Sequence, residues 1–306
     1  MNGPIEFLKL SGSGNDFLCI DNRDGRYDEL LASAARVGHF ARVLCRRGLG
    51  IGADGLIFAC RPEFDDVADI AARFFEPDGS EVELCGNGTA CFAHWVISTR
   101  MVDRAEIRIL TPAGVVLGSN ASDSYVKVCI PLPEHVESGI DLDVLGKRWN
   151  CDFASTGVPH VVAYVDDLDS LEVPHWGPAF RYHERFAPRG ANANFVQALG
   201  EGQIAVRTWE FGVEGETLAC GTGSAAAAIL AARRFAWPKE YFAGEKPVFV
   251  RARSGDMLRI YFTTGPDGRV TDLCLETIVR DAFGGTVHPA LAAQALAGDP
   301  CRCAGS

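Results

Sequence analysis

Nowhere does the 306-residue chain approach the roughly 18 consecutive apolar residues that a membrane-spanning helix needs. Its start, MNGPIEFLKLSGSGNDF, lacks the basic and apolar regions of a secretory leader. Both absences point to a cytoplasmic protein without a membrane partner. Positive charge is also short: Lys plus Arg is 29 against 40 for Asp plus Glu, a formal net charge of -11. A polyanion would meet net repulsion, so nucleic acid is not an expected partner. There is no Walker A sequence and no lysine motif for pyridoxal phosphate, and GSGNDF lacks the third glycine of a dinucleotide fingerprint. The sequence therefore leads us to expect no cofactor. Cysteine is plentiful at 11, yet scattered and odd in number, without the dense even spacing of a disulfide scaffold. Most are expected as small buried apolar side chains. Cys301 and Cys303 are separated by one residue and have no second ligand pair, which falls short of the usual zinc-ligand spacing, so no metal is expected.

With 47% hydrophobic and 23% charged residues the chain can bury a sizeable core. Runs rich in β-branched and aromatic residues predict strands at 17–20, 56–59, 72–75, 107–110, 125–130, 161–165, 204–209, 248–251 and 258–262. Apolar residues at helical spacing predict helices over 28–45, 88–98 and 223–235. Strands outnumber helices and do not alternate with them, which is an α+β pattern.

The most informative feature is a repeat. Cys85-Gly86-Asn87-Gly88-Thr89-Ala90 returns as Cys220-Gly221-Thr222-Gly223-Ser224-Ala225, each copy after an acidic, glycine-containing segment and each running into an apolar helix. Two copies suggest duplicated halves. Each places a cysteine before a glycine-rich turn that opens a helix, where free backbone N–H groups and the helix dipole favour an anion and lower a neighbouring thiol pKa. Two such ends suit inversion of a carbon centre, in which a thiolate removes a proton from one face and a thiol returns one to the other. Donors aimed at a substrate carboxylate would stabilise the carbanion.

Together with SGSGNDFLCIDNRD, GIGADGL, DGSEVELCGNG, TGVPHVV, GANANFV and EFGVEGETLACGTG in this order, the repeat resembles the diaminopimelate epimerase family over roughly residues 6 to 288. The resemblance implies a cofactor-independent isomerase acting on a small amino acid, most directly on LL-diaminopimelate for lysine and peptidoglycan synthesis, and leaves a homodimer open. It implies an α+β fold of two pseudo-symmetric domains, each a curved β-sheet or barrel around a central α-helix. Residues 1–132 with 273–288 would form the Cys85 half, 133–272 the Cys220 half, and 289–306 a tail of unknown role. Cys85 and Cys220 would be the catalytic bases, and His160 and Glu210 the groups that orient or polarise them. Asn15, Asn87, Gly88, Asn192, Gly221 and Thr222 would hold the substrate's ammonium and carboxylate groups.

Four positions depart from the family pattern. Phe211 and Ala90 stand where arginines are usual, and Glu76 and Val158 where asparagines are. A distal substrate carboxylate would then be weakly held unless Arg189, Arg47 or Arg73 supplies charge. Glu76 and the Phe211 ring would instead suit a cationic or aromatic side chain, so a racemase of another amino acid such as histidine is the alternative. From other classes come a Cys–His hydrolase using His160 as base, and a disulfide between Cys85 and Cys220.

Overall fold

In a computed structural model of the chain, residues 3–64, 66–122 and 124–297 are described, which leaves Cys301 and Cys303 outside. The chain opens with β1 (Glu6–Gly12) and β2 (Asn15–Asp21), followed by α1 (Asp28–Leu31) and α2 (Ala34–Cys45) where one helix was expected. Ser33 makes the break: its backbone is extended and its side chain accepts from the Arg36 N–H, capping α2. Next come β3 (Gly55–Cys60), β4 (Ile70–Phe75), β5 (Glu81–Val82), α3 (Gly86–Ser98), β6 (Glu106–Thr111) and β7 (Gly114–Ser122). The succeeding strands are β8 (Tyr125–Cys129), β9 (Val136–Val144), β10 (Lys147–Ser155) and β11 (Pro159–Tyr164). Then follow α4 (Val173–Arg181), β12 (Asn192–Gly200), β13 (Gln203–Glu210), β14 (Gly215–Thr217), α5 (Gly221–Arg234) and α6 (Lys239–Phe242). The chain closes with β15 (Val248–Arg251), β16 (Met257–Thr264), β17 (Val270–Thr286) and α7 (Pro289–Leu296).

The chain folds as two compact units, one from the residues up to Asn120 with those from Val279 onward, the other Ala121–Ile278. Each unit follows the same pairing rule. In the first, β1 is antiparallel to β2, β2 parallel to β3, and β3 antiparallel to β4; β4 then pairs antiparallel with β5 and parallel with β6, and β6 with β7. In the second, β10 through β16 repeat that succession pair by pair. The duplication visible in six residues around each cysteine thus extends to the topology of each half. Parallel neighbours require a crossover, which α1 and α2 supply between β2 and β3 and α3 between β4 and β6, as α4 does between β11 and β12 and α5 between β13 and β15.

The helix that follows each cysteine is the centre of its unit. Gly86 through Ala93 in α3 and Gly221 through Ala232 in α5 are all buried. Strands surround both: α3 contacts β1, β2, β3, β4 and β6, and α5 contacts β10 to β13, β15 and β16. A helix that is apolar on every side is stable only when enclosed in this way. The approach is close enough that a Cβ added at Gly118 on β7 would stand 2.7 Å from Ala93 Cβ.

On the other face of each sheet lies an outer layer. Val37, Phe40, Ala41 and Leu44 of α2 pack with Leu18, Leu56 and Phe58, and Ala295 of α7 joins them. In the second unit Val173 and Phe180 of α4 pack on Trp149, Val161 and Phe195. Strand β3, with helices on both faces, is buried from Gly55 to Ala59 rather than alternating.

Cys129 and Cys274 stand opposite each other in the β8–β17 ladder and are joined in a disulfide across a sequence separation of 145. Cys19, Cys45, Cys91 and Cys151 are buried free thiols, and burial pushes Cys45 and Cys151 up to about 12. Among the described residues no helix is long and apolar enough to cross a membrane.

Candidate functional site

Cys85 is the N-cap of α3, with φ -128° and ψ 116°, and its sulfur accepts the Gly88 N–H at 3.4 Å. Cys220 is the N-cap of α5, with φ -118° and ψ 112°, and accepts the Gly223 N–H, also at 3.4 Å. In each case the cysteine carbonyl starts the helix, taking the Thr89 N–H at 2.7 Å and the Ser224 N–H at 2.9 Å. The two sulfurs therefore occupy the place of a capping oxygen, facing the unsatisfied N–H groups of the first turn. Neither cysteine is part of a disulfide.

Around Cys85 the first unit gathers Asn15, Asn87 and Gly88. Asn15 opens β2, and its amide oxygen is 4.0 Å from the Cys85 sulfur. Asn87 is buried in the first turn of α3. A Cβ at Gly88 would sit 3.3 Å from the Phe17 ring and 3.3 Å from Cys85 Cβ, so the turn and β2 are closely packed. Glu76 lies at the end of β4, where its N–H bonds to the Ser80 carbonyl at 2.8 Å and closes the turn into β5. Ala90 is fully buried within α3. Of the arginines considered as substitute cations, Arg73 pairs with both oxygens of Glu81 at 2.7 Å and 2.7 Å, and Arg47 pairs with Asp16 and Asp54 at 2.7 Å each.

In the second unit, Cys220 is linked to His160 through Thr222. The Thr222 hydroxyl is 3.7 Å from the Cys220 sulfur and 3.1 Å from His160 Nε2. His160 Nδ1 receives the Asn194 amide N–H at 3.2 Å. An acceptor at Nδ1 places the ring proton on Nε2, which then donates to Thr222 and leaves the threonine hydrogen directed to sulfur. His160 is fully buried, and burial lowers its pKa to about 3, so the ring is neutral. The thiol is also hydrogen-bonded to the Glu210 carboxylate, which accepts the Thr217 hydroxyl at 2.6 Å.

The sequence suggested that a helix N-terminus would lower the thiol pKa, and at Cys220 the direction is opposite. Burial, then the Glu210 charge, holds the thiol well above its ordinary value, and the Gly223 N–H and Thr222 hydroxyl offset only part of this. Cys220 rests protonated. A hydrolytic Cys–His dyad also loses its basis here, because His160 faces Thr222 rather than Cys220.

Asn194 was not among the predicted residues. It holds the His160 ring, accepts the Thr208 hydroxyl at 3.0 Å, and lies where a Cβ at Gly223 would intrude to 2.4 Å. The signal was present in GANANFV, whose two asparagines are two apart and therefore share one face of β12. Asn192 is fixed by backbone at both ends, donating to the Pro159 carbonyl at 3.1 Å and accepting the Phe211 N–H at 2.7 Å. It ties the His160 strand to the loop after Glu210. The Phe211 ring has the Arg181 guanidinium 4.1 Å and the Arg189 guanidinium 5.6 Å from its centre. Arg181 is tied to Glu214 at 3.1 Å, whereas Arg189 is exposed and makes no ion pair among the described residues. Arg189, Pro159 and Gly190 also line a cavity of about 230 Å³.

A family model described as Diaminopimelate epimerase matches residues 7–129 and 153–266. A diaminopimelate epimerase of Aquifex aeolicus is 40% identical over 264 residues, covering 85% of this chain and 90% of that one. One from a Hydrogenobaculum species is 37% identical over 274 residues, covering 86% and 95%. The crystal structure of a probable proline racemase from Agrobacterium radiobacter shares the fold, with TM-score 0.71, 15% identity and 93% of each chain covered.

Proposed function

The chain belongs to the diaminopimelate epimerase family and is an amino acid isomerase; from that premise we propose that it inverts an α-carbon with Cys85 and Cys220 as paired base and acid. The observation that carries this reading is the repetition of one sulfur geometry. Each sulfur caps a buried central helix and accepts the N–H three residues on, at 3.4 Å in both units. A one-base or nucleophilic enzyme has no use for the second copy.

In one direction the Cys85 thiolate takes the α-proton and the Cys220 thiol gives its own proton to the opposite face. The reverse direction exchanges the roles. After Cys220 has given up its proton, the Gly223 N–H and the Thr222 hydroxyl face the sulfur and hold its charge. Backbone N–H groups of the first helical turns, at Asn87, Gly221 and Thr222, are assigned to the substrate carboxylate, where they oppose the charge that builds as the α-proton leaves, while the Gly88 N–H is held by the Cys85 sulfur. Asn15 and Asn192 shape the rim around them. Glu210 is assigned to holding Cys220 as the thiol.

The substrate we assign is diaminopimelate, supported by Arg189. It is the exposed cation beside Phe211, standing close to the position at which the family's arginine is missing. Glu76 and the accessible part of the Phe211 ring support a second reading, a cationic or aromatic side chain such as that of histidine. The test is incubation of LL-diaminopimelate and of L-histidine, L-lysine and L-arginine with reduced enzyme in deuterium oxide, following loss of the α-proton by NMR. Exchange with diaminopimelate alone supports the first reading; exchange with histidine or a basic amino acid alone replaces it with the second.

A further inference from the structure

The geometry points to Asp54 as a positioning residue: gripped by Arg47, it fixes the Asn15 amide with oxygen, not nitrogen, toward Cys85. Asp54 immediately precedes β3. Its Oδ2 accepts the Asn15 Nδ2–H at 3.0 Å and the Asp16 N–H at 3.1 Å, while its Oδ1 takes Arg47 Nη2 at 2.7 Å. A carboxylate held from three directions cannot turn. Because it only accepts, the Asn15 end that meets it must be the NH₂. The other end, the oxygen, is the one 4.0 Å from the Cys85 sulfur.

A second lock backs the first. Asp16 accepts the Asp54 N–H at 2.9 Å, so the two aspartates bind each other's backbone, and the Asp16 carboxylate is shared by Arg47 at 2.7 Å and Lys9 at 2.8 Å. Burial opposes the Asp16 charge, yet the hydrogen bonds from Arg47 and Lys9 outweigh it and hold this carboxyl below its usual range. Two carboxylates and two cations thus brace one amide.

The orientation matters chemically. An amide oxygen accepts from S–H and repels a thiolate, whereas an amide NH₂ would stabilise the thiolate and make it a weaker base. Asp54 therefore keeps Cys85 ready to take and hold a proton. That kinetic consequence rests on the two-thiol reading above, while the orientation itself does not.

The test is a double-mutant cycle on the rate at which iodoacetamide alkylates Cys85, read by peptide mass at one pH. Asp54→Ala frees the amide to turn its NH₂ to sulfur, and alkylation is expected to rise about three- to tenfold. In an Asn15→Ala background the same substitution is expected to change nothing. An equal rise in both backgrounds means that Asp54 acts through space or through the fold, and no rise in either means that it does not set the amide; both overturn the proposal. Should Asp54→Ala fail to unfold cooperatively on heating, Arg47→Gln, at an exposed guanidinium, takes its place. It is expected to give a smaller rise that again vanishes with Asn15→Ala, and the same two contrary results overturn the proposal. Absence of α-proton exchange in the wild-type enzyme would remove the two-thiol reading and leave the alkylation cycle to decide the orientation alone.

Discussion

The hydroxyl of Thr222 lies 3.7 Å from the sulfur of Cys220 and is the atom through which His160 reaches that sulfur, at 3.1 Å on its other side. A threonine two residues after the cysteine can do this because both belong to the cap and first turn of α5, where side chains crowd around the exposed N–H groups. Thr222→Val removes the hydroxyl at nearly constant shape. We predict kcat lower by about 10- to 100-fold with KM changed less than about threefold, and recovery in Thr222→Ser, as read by steady-state α-proton exchange. Loss confined to KM would place Thr222 in substrate binding alone.

The neutral, buried His160 carries a pH signature. In the unfolded chain it binds a proton near pH 6.5, and in the folded chain only near about 3, so its folded pKa is depressed. The unfolded state then binds more protons between these values, and stability falls as pH drops from 6.5 towards 3, by up to about 1.4 kcal/mol per pH unit. Urea unfolding of His160→Gln, compared with wild type from pH 6.5 down to 4.5, is expected to show a shallower acid slope. Equal slopes would mean that the ring is protonated in the native state.

Gly88 and Gly223 are equivalent in the repeat but differ in tolerance. A Cβ at Gly223 would meet Asn194 Oδ1 at 2.4 Å, whereas at Gly88 the nearest atoms are at 3.3 Å. Gly223→Ala must displace Asn194 and release the His160 ring. Thermal unfolding is expected to show a loss of about 1–3 kcal/mol for Gly223→Ala, with activity falling in parallel, and a smaller loss for Gly88→Ala. The reverse order would contradict the packing described.

How far the sequence led can be judged element by element. Each predicted strand run coincides with an observed strand, 125–130 and 161–165 overrunning β8 and β11 by one residue each, because β-branched and aromatic side chains pack well on a half-buried pleated surface wherever it lies. β7, with Gly118, Ser119 and Asn120, and β9, with Glu137 and Ser138, escaped notice because partner strands rather than their own composition hold them. The break at Ser33 was hidden by apolar residues that continue on both sides of the cap. Both cysteine caps were legible, since a repeated Gly-rich turn before an apolar helix has few other structures open to it. The Thr222 relay, the Asn194 brace and the Cys129–Cys274 bridge were not, because each depends on residues from separate elements whose meeting only the fold decides.

Arg189 separates the substrate readings. If its exposed guanidinium holds a distal carboxylate, Arg189→Ala should raise KM for LL-diaminopimelate about tenfold with little change in kcat. An unchanged or lowered KM would favour a side chain that is not anionic.

The central claim is that two sulfurs serve two faces of one carbon. It is tested most directly by following LL-diaminopimelate, or whichever amino acid the panel identifies, in deuterium oxide and reading isotope in both stereoisomers at early times. Two bases predict that the inverted product carries deuterium at its new centre while the remaining substrate still carries protium, and that Cys85→Ser and Cys220→Ser each nearly abolish inversion. Deuterium rising equally in substrate and product from the outset, or substrate protium carried into the product, would show one base working both faces and would contradict the account.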